Sequence, residues 1–137
     1  MTALCLKATL ATLVYIIAQP AWSETPLTGE EFDDLTRGKT LTFSAGVAPY
    51  GTEYYGPDRQ VIWAFNEDRC ERGFWYDVPS ETGTLICFEY EFSETAQCWQ
   101  MFEVDGKLRA DFMNVPGTTV LYEATETEPL ICGGVGA

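Results

Sequence analysis

Carboxylates are the side chains with which this chain could do chemistry. It carries 21 aspartates and glutamates against 8 lysines and arginines in 137 residues, and no histidine. Without histidine, neither a Ser-His-Asp nor a Cys-His catalytic site can be assembled, nor the usual histidine-bearing zinc site. What survives is acid–base work by paired carboxyls, which needs two acids about 5–9 Å apart with one pKa raised. Glu89, Glu91 and Glu103 fall in strand-like sequence and could supply such a pair for hydrolysis of cell-wall sugars. The same alternation also describes the solvent face of a strand. Calcium is the other use of acids: Glu67-Asp68 and the group Glu123, Glu126, Glu128 offer oxygen ligands. Neither sits in the Asp-x-Asp-x-Asp-Gly loop that specifies the ion. There is no Cys-x-x-Cys, P-loop or dinucleotide fingerprint. The expectation is a chain with no catalytic residue, no metal and no cofactor.

Recognition is the stronger theme. Tyr50-Gly51-Thr52-Glu53-Tyr54-Tyr55-Gly56 reads as a loop, and tyrosines flanked by glycine give amphipathic contact area with few rotors to freeze. Tyrosines at such positions also plug the open ends of small barrels. Trp63, Trp75 and Trp99 read as core. Trp75, with Gly73 leaving its surroundings open, joins Tyr50, Tyr54 and Tyr55 as a ligand-binding candidate.

The cysteines fix the compartment. Lys7 precedes an apolar run, Ala8 to Ala18, and Ala21-Trp22-Ser23 supplies small residues two apart. That order predicts a secretory signal peptide, residues 1–23, cleaved before Glu24. The run is about half the roughly 20 residues that span a bilayer, so no membrane anchor is expected after cleavage. Cleavage discards Cys5 and leaves Cys70, Cys87, Cys98 and Cys132, an even set that predicts two disulfides in the periplasm or outside the cell. The remaining 114 residues (137 less 23) form one domain, 24–137, with a flexible tail at 133–137. With Lys7 gone the net charge becomes −14, from 7 basic and 21 acidic residues. Such a surface repels nucleic acid and anionic lipid and attracts a cationic protein or small ligand; it also serves solubility.

Local patterns say what must position these residues. Thr28-Gly29-Glu30-Glu31 fits a capping box, Phe32 and Leu35 share a helical face, and Gly38 suits the end, so a helix is expected over about 29–37. Everything after it alternates like strand. Leu41 and Phe43 share a face, as do Val61, Trp63 and Phe65. Phe74–Val78, Thr84–Phe92 and Thr118–Ala124 follow, with a closing stub at Leu130–Cys132. Asp105-Gly106 is a favoured two-residue hairpin turn that pairs Val104 with Lys107, Met101 with Ala110 and Trp99 with Phe112. Setting Cys87 opposite Cys98 then puts Ile86, Phe88 and Tyr90 on the Trp99 face. Four cysteines permit three pairings; this register favours Cys87–Cys98 and leaves Cys70–Cys132. The fold expected is mainly all-β, an antiparallel meander closing into a small barrel or strongly curled sheet, with one short N-terminal helix.

The motifs Gly38-Lys39-Thr40-Leu41, Val61-Ile62-Trp63, Cys70-Glu71-Arg72-Gly73-Phe74-Trp75, Leu85-Ile86-Cys87-Phe88-Glu89-Tyr90 and Cys98-Trp99 resemble a family of exported bacterial proteins of unknown function. The Cys-Phe-x-Tyr and Cys-Trp elements are its most specific part. The resemblance implies export and a β fold and brings no activity. The expected function is therefore a non-enzymatic periplasmic binding or inhibitor-like module, similar in size and acidity to exported bacterial inhibitors of cationic hydrolases, an analogy at fold level. A carboxylate-dependent hydrolase and a ligand-free envelope component are the alternatives.

Overall fold

Thr28 caps the helix of the computed structural model, which describes residues 24–65 and 69–132. The leader, the Glu67-Asp68 pair and the tail from 133 lie outside the described residues. The Thr28 hydroxyl accepts from the Glu31 amide at 3.2 Å, and the Glu31 carboxylate accepts from the Thr28 amide at 2.8 Å. This reciprocal bonding satisfies two donors at the start of α1, Gly29–Thr36, that would otherwise be orphaned.

Eight strands follow: β1 (Thr40–Ala45), β2 (Ala48–Tyr55), β3 (Gln60–Ala64), β4 (Cys70–Val78), β5 (Leu85–Tyr90), β6 (Gln97–Val104), β7 (Lys107–Phe112) and β8 (Val120–Glu123). Each pairs antiparallel with the next, and β8 returns to β1, closing a barrel in simple sequence order. The Asp105-Gly106 hairpin has the expected register: Val104 faces Lys107, Met101 faces Ala110 and Trp99 faces Phe112. Asp105 and Gly106 sit at φ 52° and 77°, the left-handed pair that suits the twist of a two-residue hairpin. Cys87 pairs with Cys98 across β5 and β6, and Cys70 with Cys132.

Alternation sorts every strand into an inward and an outward row. Phe43, Val61, Trp63, Trp75, Ile86, Phe88, Trp99, Met101, Ala110 and Leu121 fill the interior. Two sequence expectations need correction. The tyrosine segment is no loop; it is β2, with Glu53 and Tyr55 facing inward opposite Trp63 and Val61. Its glycine is a packing requirement, because a Cβ on Gly51 would collide with the Trp63 indole. The second correction is at Leu130–Cys132, which forms no strand. From Ala124 the chain crosses the outside of the barrel as a strap. The Ala124 amide donates to the Thr42 carbonyl at 2.7 Å, the Glu128 amide to the Thr42 hydroxyl at 2.8 Å, and Cys132 is bonded to Cys70 on β4. Thr42, Thr52 and Ala64, outward residues of the three strands before β4, are accordingly buried.

Helix α1 lies across one barrel end. Phe32 enters the interior fully buried and meets Tyr55, Trp75 and Phe88 edge-on at 5.7, 5.0 and 6.3 Å. The turns at that end, Gly56–Arg59, Pro79–Thr84 and Asp105-Gly106, are polar in sequence. The β1–β2, β3–β4, β5–β6 and β7–β8 connections meet at the other end, which has no helix over it among the described residues.

Candidate functional site

At the end away from α1, each of the four connections carries a large apolar side chain in solvent. These are Val47, Phe65, Phe92 and Val115, all at least 48% exposed. One such residue stands on each of the four connections at this end; Phe74, Val104, Tyr122 and Ile131 are exposed elsewhere on the molecule. The crown is held in shape by Asn114. Its carbonyl oxygen accepts from the Cys98 amide at 2.7 Å and its amide nitrogen donates to the Ala96 carbonyl at 2.8 Å, tying the β5–β6 and β7–β8 loops together.

The crown surrounds the mouth of the lumen. Tyr50, Trp63 and Phe65 form one aromatic cluster with centroids 5.2–5.8 Å apart, and Trp99 packs on Phe112 at 4.8 Å. These walls lead down to Glu53, whose carboxylate lines the same cavity as Tyr50, Phe65 and Trp99. The space is narrow: about 30 Å³ is open to the centre of a water molecule, room for roughly two waters.

Glu53 is the unusual group. It is 4% exposed, and no Lys or Arg lies within salt-bridge distance among the described residues. Tyr90 donates its hydroxyl to Glu53 at 2.6 Å, and Tyr55 lines the same cavity. Burial outweighs both phenols and pushes the Glu53 pKa up to about 7. Burial and the neighbouring carboxylate also hold the Tyr55 and Tyr90 hydroxyls well above the ordinary phenol range. Both therefore act as neutral groups. Glu71, inward on β4 opposite Trp63, adds a second acid to the lining. Arg69, just outside the mouth, stands 3.6 Å from Glu71 and 5.1 Å from the centre of the Phe92 ring. The rim thus already holds one cation between a carboxylate and an aromatic face.

The four sequence candidates do not converge. Tyr50 is at the mouth. Tyr55 is core, contributing only its hydroxyl to the cavity floor. Tyr54 points outward into a separate surface groove with Ile62, Arg72 and Phe74. Trp75 is 2% exposed beneath the Arg59 guanidinium, 4.3 Å above its ring, so it is core at the closed end. The carboxylates proposed for catalysis, Glu89, Glu91 and Glu103, are all exposed. Glu123 is committed to the Leu108 amide at 2.8 Å, and Glu126 and Glu128 are exposed. Among the described residues no group of three or more His, Cys, Asp or Glu is placed to hold a metal, and no helix is long and apolar enough to cross a membrane.

Glu53, Glu71, Phe65 and Phe92 were not among the sequence candidates for recognition. The signal for Glu53 was present in the period-two row Gly51, Glu53, Tyr55, hidden because a glycine and an acid hold positions where strand cores are usually apolar. Comparison of the chain with protein families, curated proteins and solved structures gives no match. Its chemistry is therefore read from its own geometry.

Proposed function

We propose that this protein is a non-enzymatic exported binding module that docks a basic protein on the open end of its barrel. The crown of Val47, Phe65, Phe92 and Val115 carries the reading, since a water-exposed apolar ring around an open lumen has no use in stability. Charge supplies the partner's sign. A formal net charge of −13, with Glu71, Glu91 and Glu94 near the opening, favours encounter with a cationic surface and disfavours nucleic acid. The two disulfides suit an oxidising compartment, which supports an exported location. Hydrolysis of a sugar polymer is less well supported. The lumen that holds Glu53 and Glu71 has water-sized room and no space for a sugar ring.

The test is binding to a panel of purified basic proteins, cationic hydrolases among them, measured by interferometry at low and high salt. Binding that falls steeply with salt, and falls at least tenfold in the double variant Phe92→Ser, Val115→Ser, is the expected result. Binding to none of the panel, or binding indifferent to both changes, would sink the proposal.

A further inference from the structure

We infer that the lumen floor is a seat for one primary alkylammonium group, formed by the Glu53 carboxylate with the Tyr55 and Tyr90 hydroxyls. The inference deepens the docking reading and rests on it for the source of the ligand. Glu53 is a carboxylate nine-tenths buried that lines a cavity and has no cation within salt-bridge distance among the described residues. An uncompensated buried charge is costly, and a cation seated against it would remove that cost.

Three features select the ligand. The lining holds three oxygen-bearing side chains, the Glu53 carboxylate and the Tyr55 and Tyr90 phenols, to meet the three N–H donors of an ammonium. The space has room for roughly two waters, which suits –NH₃⁺ better than the bulkier guanidinium or quaternary ammonium. The approach is lined by Tyr50, Trp63, Phe65 and Trp99, whose faces and edges suit the methylene stem and stabilise the charge as it passes. The titratable groups facing Glu53 are Tyr55 on its own strand, Tyr90 on β5 and Glu71 on β4. Arg69 stands 3.6 Å from Glu71 on the mouth side. A lysine side chain of the docked protein and a free alkylamine offer the same chemistry.

The experiment follows the indole N–H signals of Trp63 and Trp99 by NMR at pH 8 while n-butylammonium chloride is added to the oxidised protein. Guanidinium and tetramethylammonium chloride serve as controls at equal ionic strength. Shifts of these two indoles by butylammonium alone, with affinity lowered at least tenfold in Glu53→Gln, support the seat. Should Glu53→Gln fail to fold, Tyr90→Phe takes its place, with a loss of several-fold expected. No shift, an equal shift from tetramethylammonium, or equal affinity in the variant overturns it. Butylammonium that displaces a docked basic protein identifies lysine as the source; saturable binding without displacement identifies a free amine. Docking that survives while the titration fails removes this seat alone. A titration that succeeds while the panel fails removes the docking reading alone.

Discussion

At the end where α1 enters, Phe32 fills the lumen among three aromatic rings, polar turns face water and the helix start is capped by its own side chains. At the other end, among the described residues, the lumen is lined by rings without a plug, four loops hold apolar side chains in solvent, and a carboxylate is buried without a counter-ion. The same eight strands build both. The first end obeys the ordinary rules of burial and satisfaction; the second breaks them in three places, and such violations concentrate where proteins meet ligands. On the proposed docking reading, stability and recognition separate along the barrel axis.

The largest effect that would sharpen this contrast is at the plug. Phe32→Ala removes a fully buried ring and should cost about 3–5 kcal/mol, read as a lower denaturant midpoint, while leaving the crown in place. If Phe32→Ala instead costs under about 1 kcal/mol, the helix is no plug and the two ends are not different in kind.

At the open end the sign should reverse. Glu53 binds its proton more tightly in the folded protein, with a pKa of about 7 against the usual 4.5. Below about pH 4.5 the carboxyl is neutral in both states and costs nothing. As pH rises toward 7 the unfolded chain ionises first, and the folded state loses up to about 3 kcal/mol relative to it. Glu53→Gln keeps the acceptor for Tyr90 and removes the charge. It should therefore match the wild type at pH 4.5 and exceed it by up to about 3 kcal/mol at pH 8. Chemical denaturation of both proteins across that range checks the crossover, and parallel curves would mean that Glu53 is compensated after all.

Smaller is the helix cap. Thr28→Ala should cost about 1 kcal/mol, seen as a modest drop in melting temperature with no change in docking. Smallest of all is the crown, where Phe92→Ser with Val115→Ser should alter stability by less than about 0.5 kcal/mol and yet lower docking at least tenfold. Destabilisation of several kcal/mol by that pair would make the crown structural and erase the distinction.

Much of the closed architecture was legible in the sequence. The capping box predicted α1 because its hydrogen bonds are local. The Asp105-Gly106 turn predicted the β6–β7 register because a slip of one residue would mix faces. That register then carried Cys87 onto Cys98. The open end was less legible for a physical reason. Its residues do not follow the rule that inward means apolar, so Glu53 broke the pattern that would have identified β2. The glycine and proline that signalled a loop there serve the close approach of Trp63 to Gly51 and the irregular start of the strand at Pro49, where the β1–β2 register shifts. Phe65 and Phe92 read as strand residues because exposure depends on where a barrel is open, and only the assembled topology sets that.

The seam between β1 and β8 is held by two register pairs, Phe43 with Glu123 and Ser44 with Tyr122, fewer than the three of β5–β6 and of β7–β8. The strap crosses β1 beside it and is tied off at Cys70. Two hydrogen bonds to Thr42, from the Ala124 and Glu128 amides, hold the near part of the strap. The Cys70–Cys132 bond is the far anchor of that strap, so the cover over the outward faces of β1 to β3 is tied covalently to β4.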